Sequence, residues 1–269
     1  MKITITLVFT FLFINFSLAQ QENEILEEAN LLYNSEKASW HGTDIFLEQF
    51  PSKKNQIGGY ISMSTNKTRS CLFFDQNEEP NLLAKITFNK EFDLDKVEID
   101  TLKRKLNKKE MDLFYIKNRA LIEINRDTLF KLFENTNFNI VPIITKKSKK
   151  VYILTGSKLS GVVVLGNDYL ITFDKNNIVK TMKPLHKNIL TFEYNEKTED
   201  AVSMHSHVHS TGNLITPTDL CTLMLYGDYV NWKQHVVLSK KNVSLWDFDK
   251  KKLLILTRKA WDKIYGTDK

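Results

Sequence analysis

The chain has 269 residues, of which 42% are hydrophobic and 11% aromatic, a composition typical of a folded globular protein and not of a disordered one. Its net charge is +6, but basic and acidic residues are mixed along the sequence. Nucleic-acid binding would need a basic face interleaved with aromatic side chains, so we expect no nucleic-acid partner.

The first nineteen residues have the three parts of a secretory signal peptide. Lys2 gives a positive start, residues 3–16 are nearly all apolar, and small residues follow at Ser17 and Ala19. The apolar run is shorter than the ~20 residues that a membrane-spanning helix needs. We therefore expect cleavage, a mature chain from about Gln20, no stable membrane span afterwards, and a secreted, periplasmic or cell-envelope location.

The two cysteines, Cys71 and Cys221, leave two possibilities open. In an oxidising compartment they could form one disulfide, and they could equally remain two buried thiols.

The first part of the chain is predicted to be a short helix followed by strands. Apolar residues at helical spacing predict a helix over residues 22–34. From there to about residue 100 the pattern is typical of β-structure, including a hairpin formed by residues 58–63 and 69–74. A broad apolar stripe then predicts the main helix over residues 106–134.

The rest of the chain is predicted to be mostly strands joined by short turns, which favours antiparallel pairing. A strand over residues 201–207, a short helix over 217–226 and three final strands complete the order. The predicted fold class is α+β, a mostly antiparallel sheet with one long helix and a short C-terminal helix. We divide the chain into a signal peptide (1–19), a β-rich region (20–104) and an α+β domain (105–269).

Three histidines alternate at the end of one predicted strand: His205, His207 and His209. Side chains at alternate positions of a strand point to the same face. A threonine and an aspartate, Thr216 and Asp219, follow a short loop later. Imidazole and carboxylate are ligands of zinc, and a catalytic zinc site commonly has three such protein ligands and a water. The pattern therefore predicts a zinc site.

Helix chemistry offers a second explanation for part of this segment. Thr216 is a favourable N-cap, Pro217 suits the first helical position, and Asp219 completes a capping box. Helix capping alone explains this tetrad, whereas it does not explain the alternating histidines.

The spacing of these residues resembles that of the JAMM (MPN+) metallo-isopeptidase family. The family signature is His-x-His, a short spacer and Ser-x-x-Asp, and its members hydrolyse isopeptide or peptide bonds with a single zinc ion. The resemblance implies that His205, His207 and Asp219 are the zinc ligands. It also implies that Thr216 takes the place of the serine whose hydroxyl stabilises the oxyanion. A protein or peptide would then be the substrate or partner.

The chain departs from the family pattern at several points. The spacer between His207 and Thr216 has eight residues, one more than in the pattern, and Val208 stands where most members have proline. The upstream glutamate that acts as general base is not found in its usual Glu-x-x-Gly-x-Leu setting. By position Glu134 is the first candidate, and the alternatives are Glu193 and Glu196. His209, which the family does not use, is an alternative metal ligand that would leave Asp219 outside an all-histidine site.

The sequence therefore leaves two functions open. The first is a secreted zinc-dependent hydrolase that acts on peptide, isopeptide or related amide bonds. The second is a non-catalytic envelope or interaction protein with a degenerate form of the same fold, in which the β-rich segment 36–100 is either a binding surface or a scaffold for the second half. The sequence does not determine the oligomeric state, and His235, which follows Trp232 at a strand start, is predicted to be structural.

Overall fold

The computed structural model describes residues 2–65, 67–194, 201–208 and 210–266. Helices and mostly antiparallel sheets occur together, which confirms the predicted α+β class. The chain forms two compact units. The first contains Met1–Asn30, Gly161–Leu165 and Leu190–Lys269, and the second contains Leu31–Ser160 and Gly166–Ile189. The predicted division at residue 104 stays a prediction.

The helices are α1 (Lys2–Gln49), α2 (Lys108–Arg126), α3 (Pro217–Tyr226) and α4 (Arg258–Tyr265), with short 3-10 helices at Pro51–Gln56 and Leu94–Lys96. The strands are β1 (Ile57–Ser64), β2 (Arg69–Asp75), β3 (Leu82–Phe88), β4 (Glu98–Asp100), β5 (Thr136–Ile144), β6 (Lys149–Ser157), β7 (Val162–Gly166), β8 (Tyr169–Phe173), β9 (Val179–Pro184), β10 (Ile189–Glu193), β11 (Ala201–Ser206), β12 (Trp232–Leu238), β13 (Asn242–Asp247) and β14 (Lys252–Thr257). Over the described residues, none of these helices is long and apolar enough to cross a membrane. The signal peptide and its cleavage stay a prediction.

The second unit contains two antiparallel sheets, one in the order β1-β2-β3-β4 and the other in the order β5-β6-β8-β9. Helix α2 contributes to the core beside both of them. Its residues Ile116 and Ala120 pack with Val151 of β6, and Leu113 packs with Leu72 of β2. These residues form the apolar stripe from which the sequence predicted an amphipathic helix here.

The prediction that β-structure begins soon after residue 34 was wrong, because α1 continues to Gln49. The buried face of this extension includes small side chains: Ser35, Ala38, Ser39 and Gly42. Gly42 lies so close to β2 that a Cβ atom built on it would be 2.6 Å from Cβ of Cys71. Small residues let the helix and the sheet approach closely. Because they carry little apolar surface, they give only a weak helical pattern of hydrophobicity in the sequence, and the helix was predicted too short.

The main helix was also predicted too long, since α2 ends at Arg126 and not at residue 134. At Asp127 the backbone is extended (φ −104°, ψ 128°), and its carboxylate accepts a hydrogen bond from the backbone N–H of Leu129 at 2.9 Å. An aspartate that bonds to the backbone two residues later offers the chain a turn in place of another helical turn. The apolar residues after it, Leu132 and Phe133, are exposed and outside the helix.

The first unit has a four-stranded sheet in the order β11-β12-β13-β14. Strands β11 and β12 are parallel, so α3 is the crossover of a β–α–β unit, while the remaining pairs are antiparallel. Leu220 and Leu223 of α3 pack with Val237 of β12 and Trp246 of β13 in the core of this unit. The predicted order of strand, loop, helix and strand is confirmed.

The two cysteines do not form a disulfide. Cys71 lies on β2 in the second unit, is buried and carries a free thiol. Cys221 lies in α3 of the first unit and is buried as well. Burial raises the pKa of the Cys71 thiol to about 12, so this sulfur is protonated at neutral pH.

Candidate metal centre

Strand β11 presents alternating faces, as the sequence predicted. Val202 and Met204 are each 53% exposed, whereas His205 and His207 are each 8% exposed. The backbone N–H of His207 donates to the carbonyl oxygen of Leu238 at 2.8 Å and prolongs the pairing beyond the last residue of β11. The two histidines therefore point to the same buried side of the sheet.

His205, His207 and Asp219 come together within the first unit. The Nε2 atoms of the two imidazoles are 2.9 Å apart. Oδ2 of Asp219 is 3.2 Å from Nε2 of His207 and 3.9 Å from Nε2 of His205. Asp219 is 1% exposed, so one buried carboxylate oxygen faces two buried imidazole nitrogens.

The triangle formed by these three atoms has a size that a divalent metal ion could occupy. The circle through them has a radius of about 2.0 Å, and zinc binds nitrogen and carboxylate oxygen at about 2.0–2.2 Å. Three protein ligands of these types would leave a further coordination position open for another ligand. These residues can therefore hold a divalent metal ion.

The start of α3 places and orients the carboxylate of Asp219. The capping box predicted for Thr216 and Asp219 is confirmed: the backbone N–H of Asp219 donates to Oγ1 of Thr216, and Oδ2 of Asp219 accepts from the backbone N–H of Thr216 at 3.1 Å. The Thr216 hydroxyl also donates to Oδ2 at 2.8 Å. The partial positive charge of the helix N-terminus favours a carboxylate here. The oxygen atom that caps the helix is thus the one that faces the two imidazoles, so the two explanations of the tetrad are compatible.

The hydrogen bonds of His207 determine which of its nitrogens can bind a metal. Its Nδ1 lies 2.9 Å from the carbonyl oxygen of Leu214. A carbonyl oxygen only accepts hydrogen bonds, so Nδ1 carries a proton, and Nε2 is the nitrogen that faces His205 and Asp219. Metal-binding histidines commonly donate their second N–H to a carbonyl or carboxylate in this way.

His235 is a functional candidate that the sequence predicted to be structural. Its Nε2 is 2.8 Å from Nδ1 of His205, and its Nδ1 is 2.7 Å from Oγ of Ser203. It is fully buried beside the rings of Trp232 and Phe192. Burial, reinforced by the neighbouring His205, lowers the pKa of His235 to about 3, so the ring is neutral.

A parallel pairing of β11 with β12 was the signal that could have revealed His235. In that register Ser203 lies opposite His235, which brings the histidine next to the face that carries His205. The sequence order of strand, helix and strand is compatible with this pairing, because a helical crossover joins parallel neighbours.

The remaining predicted residues lie elsewhere or outside the described residues. Glu134 is exposed in a turn before β5 in the second unit, and Glu193 is exposed at the end of β10 in the first. His209 and Glu196 are outside the described residues. The role of Thr216 in catalysis stays a prediction, and its hydroxyl is bonded to Asp219 and to Oγ1 of Thr218.

Comparison of the chain with family models, with curated proteins and with solved structures finds no match.

Proposed function

We propose that this protein binds one zinc ion through His205, His207 and Asp219 and is a metallohydrolase that acts on peptide, isopeptide or related amide bonds. The observation that carries this proposal is the triangle of two imidazole nitrogens and one carboxylate oxygen. Two imidazole nitrogens and one carboxylate oxygen are ligands found in catalytic zinc sites, and the resemblance to the JAMM family favours zinc over the other divalent ions that imidazole binds. Zinc would polarise the carbonyl of the scissile bond and lower the pKa of bound water to about 7.

The residues of the chain have separate roles in this proposal. The two histidines and the aspartate hold the ion, and Thr216 fixes the carboxylate through its hydroxyl and its backbone N–H. The resemblance to the JAMM family supports the reaction class, because that family uses the same ligand types in the same order. A glutamate acts as the general base, and the candidates are Glu134, Glu193 and Glu196.

A non-catalytic zinc protein of the envelope is the second candidate. Among the described residues of the first unit, the carboxylate that is buried is that of Asp219. In this proposal it is already a metal ligand and a helix cap, so it is not free to act as the general base. Glu193, in the same unit, is exposed. Without a base near the open position, zinc would stabilise the unit and hydrolysis would be slow.

Metal content tests the site. The full chain, purified without a histidine tag, should contain about one zinc per molecule. The variants His205→Ala and His207→Ala should lose most of it, because two remaining ligands bind weakly. His41→Ala, which removes a histidine from the second unit, is the control and should retain the metal. A wild-type protein that takes up no zinc after supplementation would exclude both candidate functions.

Hydrolysis separates the two candidates. The zinc-loaded protein is incubated with a fluorogenic peptide library and with a peptide that contains a lysine isopeptide bond, before and after removal of the metal by a chelator. Cleavage that is lost with the metal and restored by added zinc supports the hydrolase. Full zinc occupancy without cleavage supports the non-catalytic protein. If cleavage occurs, the Glu→Gln variant at 134, 193 or 196 that keeps zinc and loses activity identifies the base.

A further inference from the structure

The nitrogen of His205 that faces away from Asp219 is bonded to a second buried histidine. Nδ1 of His205 lies 2.8 Å from Nε2 of His235, and Nδ1 of His235 lies 2.7 Å from Oγ of Ser203. With His207 these groups form a chain of three imidazoles that ends at a serine hydroxyl on one side and at the carbonyl oxygen of Leu214 on the other.

If His205 binds a metal through Nε2, this chain permits a single arrangement of protons. A neutral His205 then carries its proton on Nδ1 and donates it to Nε2 of His235. His235 must consequently carry its own proton on Nδ1 and donate it to Oγ of Ser203, which accepts. Each buried ring nitrogen has a partner in this arrangement, so every polar group in this row of three imidazoles and a serine forms a hydrogen bond.

We propose, on the basis of the proposed metal site, that His235 is a positioning residue for it. His235 and Ser203 hold His205 in the tautomer and orientation that present a bare Nε2 to the ion. The role corresponds to the carboxylate or carbonyl that supports most metal-binding histidines, with a neutral imidazole in its place.

A histidine in this position can also support the metal-free site, which a carbonyl oxygen cannot. When Nε2 of His205 carries a proton, Nδ1 becomes an acceptor, Nε2–H of His235 donates to it, and the Ser203 hydroxyl donates to Nδ1 of His235. The three rings carry the same number of protons in both arrangements. In the change to the metal-bound form, the Nε2 proton of His205 goes to solvent, and the proton on Nε2 of His235 moves to Nδ1 of His205. Nδ1 of His235 takes a proton from the Ser203 hydroxyl, which regains one from solvent.

Zinc affinity is the first test, measured by competition with a chromophoric chelator on the full chain. His235→Phe keeps an aromatic ring at this position and removes the Nε2 atom that accepts from His205. It should weaken zinc binding by about 10- to 100-fold at unchanged stoichiometry. His235→Gln can still accept through its amide oxygen and should restore part of the affinity. Ser203→Ala should have a smaller effect, and Ser206→Ala on the exposed face of the same strand should have none.

Failure of this inference differs from failure of the proposed function. A wild type that takes up no zinc refutes the proposed function. If the wild type takes up zinc, and a folded His235→Phe variant binds zinc with the same affinity, only the positioning role is refuted.

The tautomer of His235 is the second test and needs no variant. In ¹⁵N NMR spectra of the zinc-loaded wild type, the ring of His235 should be neutral, with the proton on Nδ1 and a bare Nε2. A purely structural histidine would keep its tautomer whether or not zinc is present. A zinc-loaded spectrum with the His235 proton on Nε2 would overturn the proposal, even if the Phe variant fails to fold.

Discussion

At the scale of single residues, Asp219 meets two demands with one oxygen atom. Its Oδ2 caps the first turn of α3 through Thr216, and the same atom faces the imidazoles of His205 and His207. The helix already fixes the carboxylate in the metal-free protein, so binding of a metal ion would cost little additional side-chain entropy. Preorganised ligands of this kind favour binding.

Asp219→Asn should separate the two demands. The amide oxygen of asparagine can still accept from the backbone N–H of Thr216, so the free energy of unfolding without metal should change by about 1 kcal/mol or less. Zinc at 100 times its dissociation constant should stabilise the wild type by about 2.7 kcal/mol, and the variant should lose most of this increment. Urea unfolding with zinc and with a chelator measures both quantities. An equal zinc increment in the two proteins would show that Asp219 is not a ligand.

Thr216→Ala is the complementary change and should act on the helix first. It removes the N-cap hydroxyl that accepts from the backbone N–H of Asp219 and donates to its carboxylate. Loss of an N-cap typically costs about 1 kcal/mol, so the metal-free protein should be destabilised by about that amount. Urea unfolding in the presence of a chelator measures the cost, with Thr216→Ser as the control that keeps the hydroxyl. Equal stability of the alanine variant and the wild type would contradict a capping role.

The sequence was sufficient to predict one side of the site and not the other. Strand periodicity puts His205 and His207 on one face, and cap chemistry puts Asp219 at the start of a helix, because both rules act within a few residues. The bond between His205 and His235 depends on the register of two parallel strands that are separated by a helix. No local pattern determines that register, so His235 was assigned only a structural role.

At the scale of elements, α1 shows why hydrophobic periodicity fails where a helix lies very close to a sheet. The second part of its buried face uses Ser35, Ala38, Ser39 and Gly42, which carry little or no apolar surface. The ends of elements are hard to predict for a related reason. Asp127 ends α2 through a side-chain bond to the backbone, while apolar residues continue past it in the sequence.

Gly42→Ala should destabilise the protein although alanine is the better helix former. The helix would gain about 1 kcal/mol from propensity, but the new Cβ would lie 2.6 Å from Cβ of Cys71. Relieving such a contact requires a backbone shift in a packed interface, which typically costs about 1–3 kcal/mol. The net loss should appear as a lower urea midpoint. Glu48→Ala, at an exposed position of the same helix, should be neutral or slightly stabilising, and an equal gain in both variants would contradict this packing.

At the scale of the whole molecule, the chain passes between its two compact units more than once. The segment Gly161–Leu165 belongs to the first unit although it is flanked on both sides by segments of the second. Each unit therefore contains segments that are not consecutive in the sequence, and no Pro- or Gly-rich linker marks the passages. Each unit nevertheless has its own hydrophobic core, one around Leu220 and Trp246 and others around Phe73 and Ile153.

The stability of the molecule should depend on pH through two partly buried ionisable groups of the second unit, Glu36 and Lys117. Asn139 donates to the carboxylate of Glu36 at 2.9 Å, and Nζ of Lys117 donates to the carbonyl oxygen of Tyr60 at 2.8 Å. Burial raises the pKa of Glu36 to about 7 and lowers the pKa of Lys117 to about 8. Both shifts oppose the charged forms, and the attraction between the two groups only partly compensates.

The sign of the effect differs on the two sides of neutrality. From about pH 4.5 to 7 the folded Glu36 holds a proton that the unfolded chain has lost, so stability falls as pH rises, by up to about 1.4 kcal/mol per unit. From about pH 8 to 10.5 the unfolded Lys117 holds the extra proton, so stability rises with pH.

Glu36→Gln should abolish the first slope and Lys117→Met the second, measured as differences from the wild type in urea unfolding between pH 4 and 10. Glu48→Gln and Lys109→Met, at exposed positions, should leave both slopes unchanged. Variants at Glu36 and Lys117 that follow the wild-type profile would show that both groups ionise as they do in water.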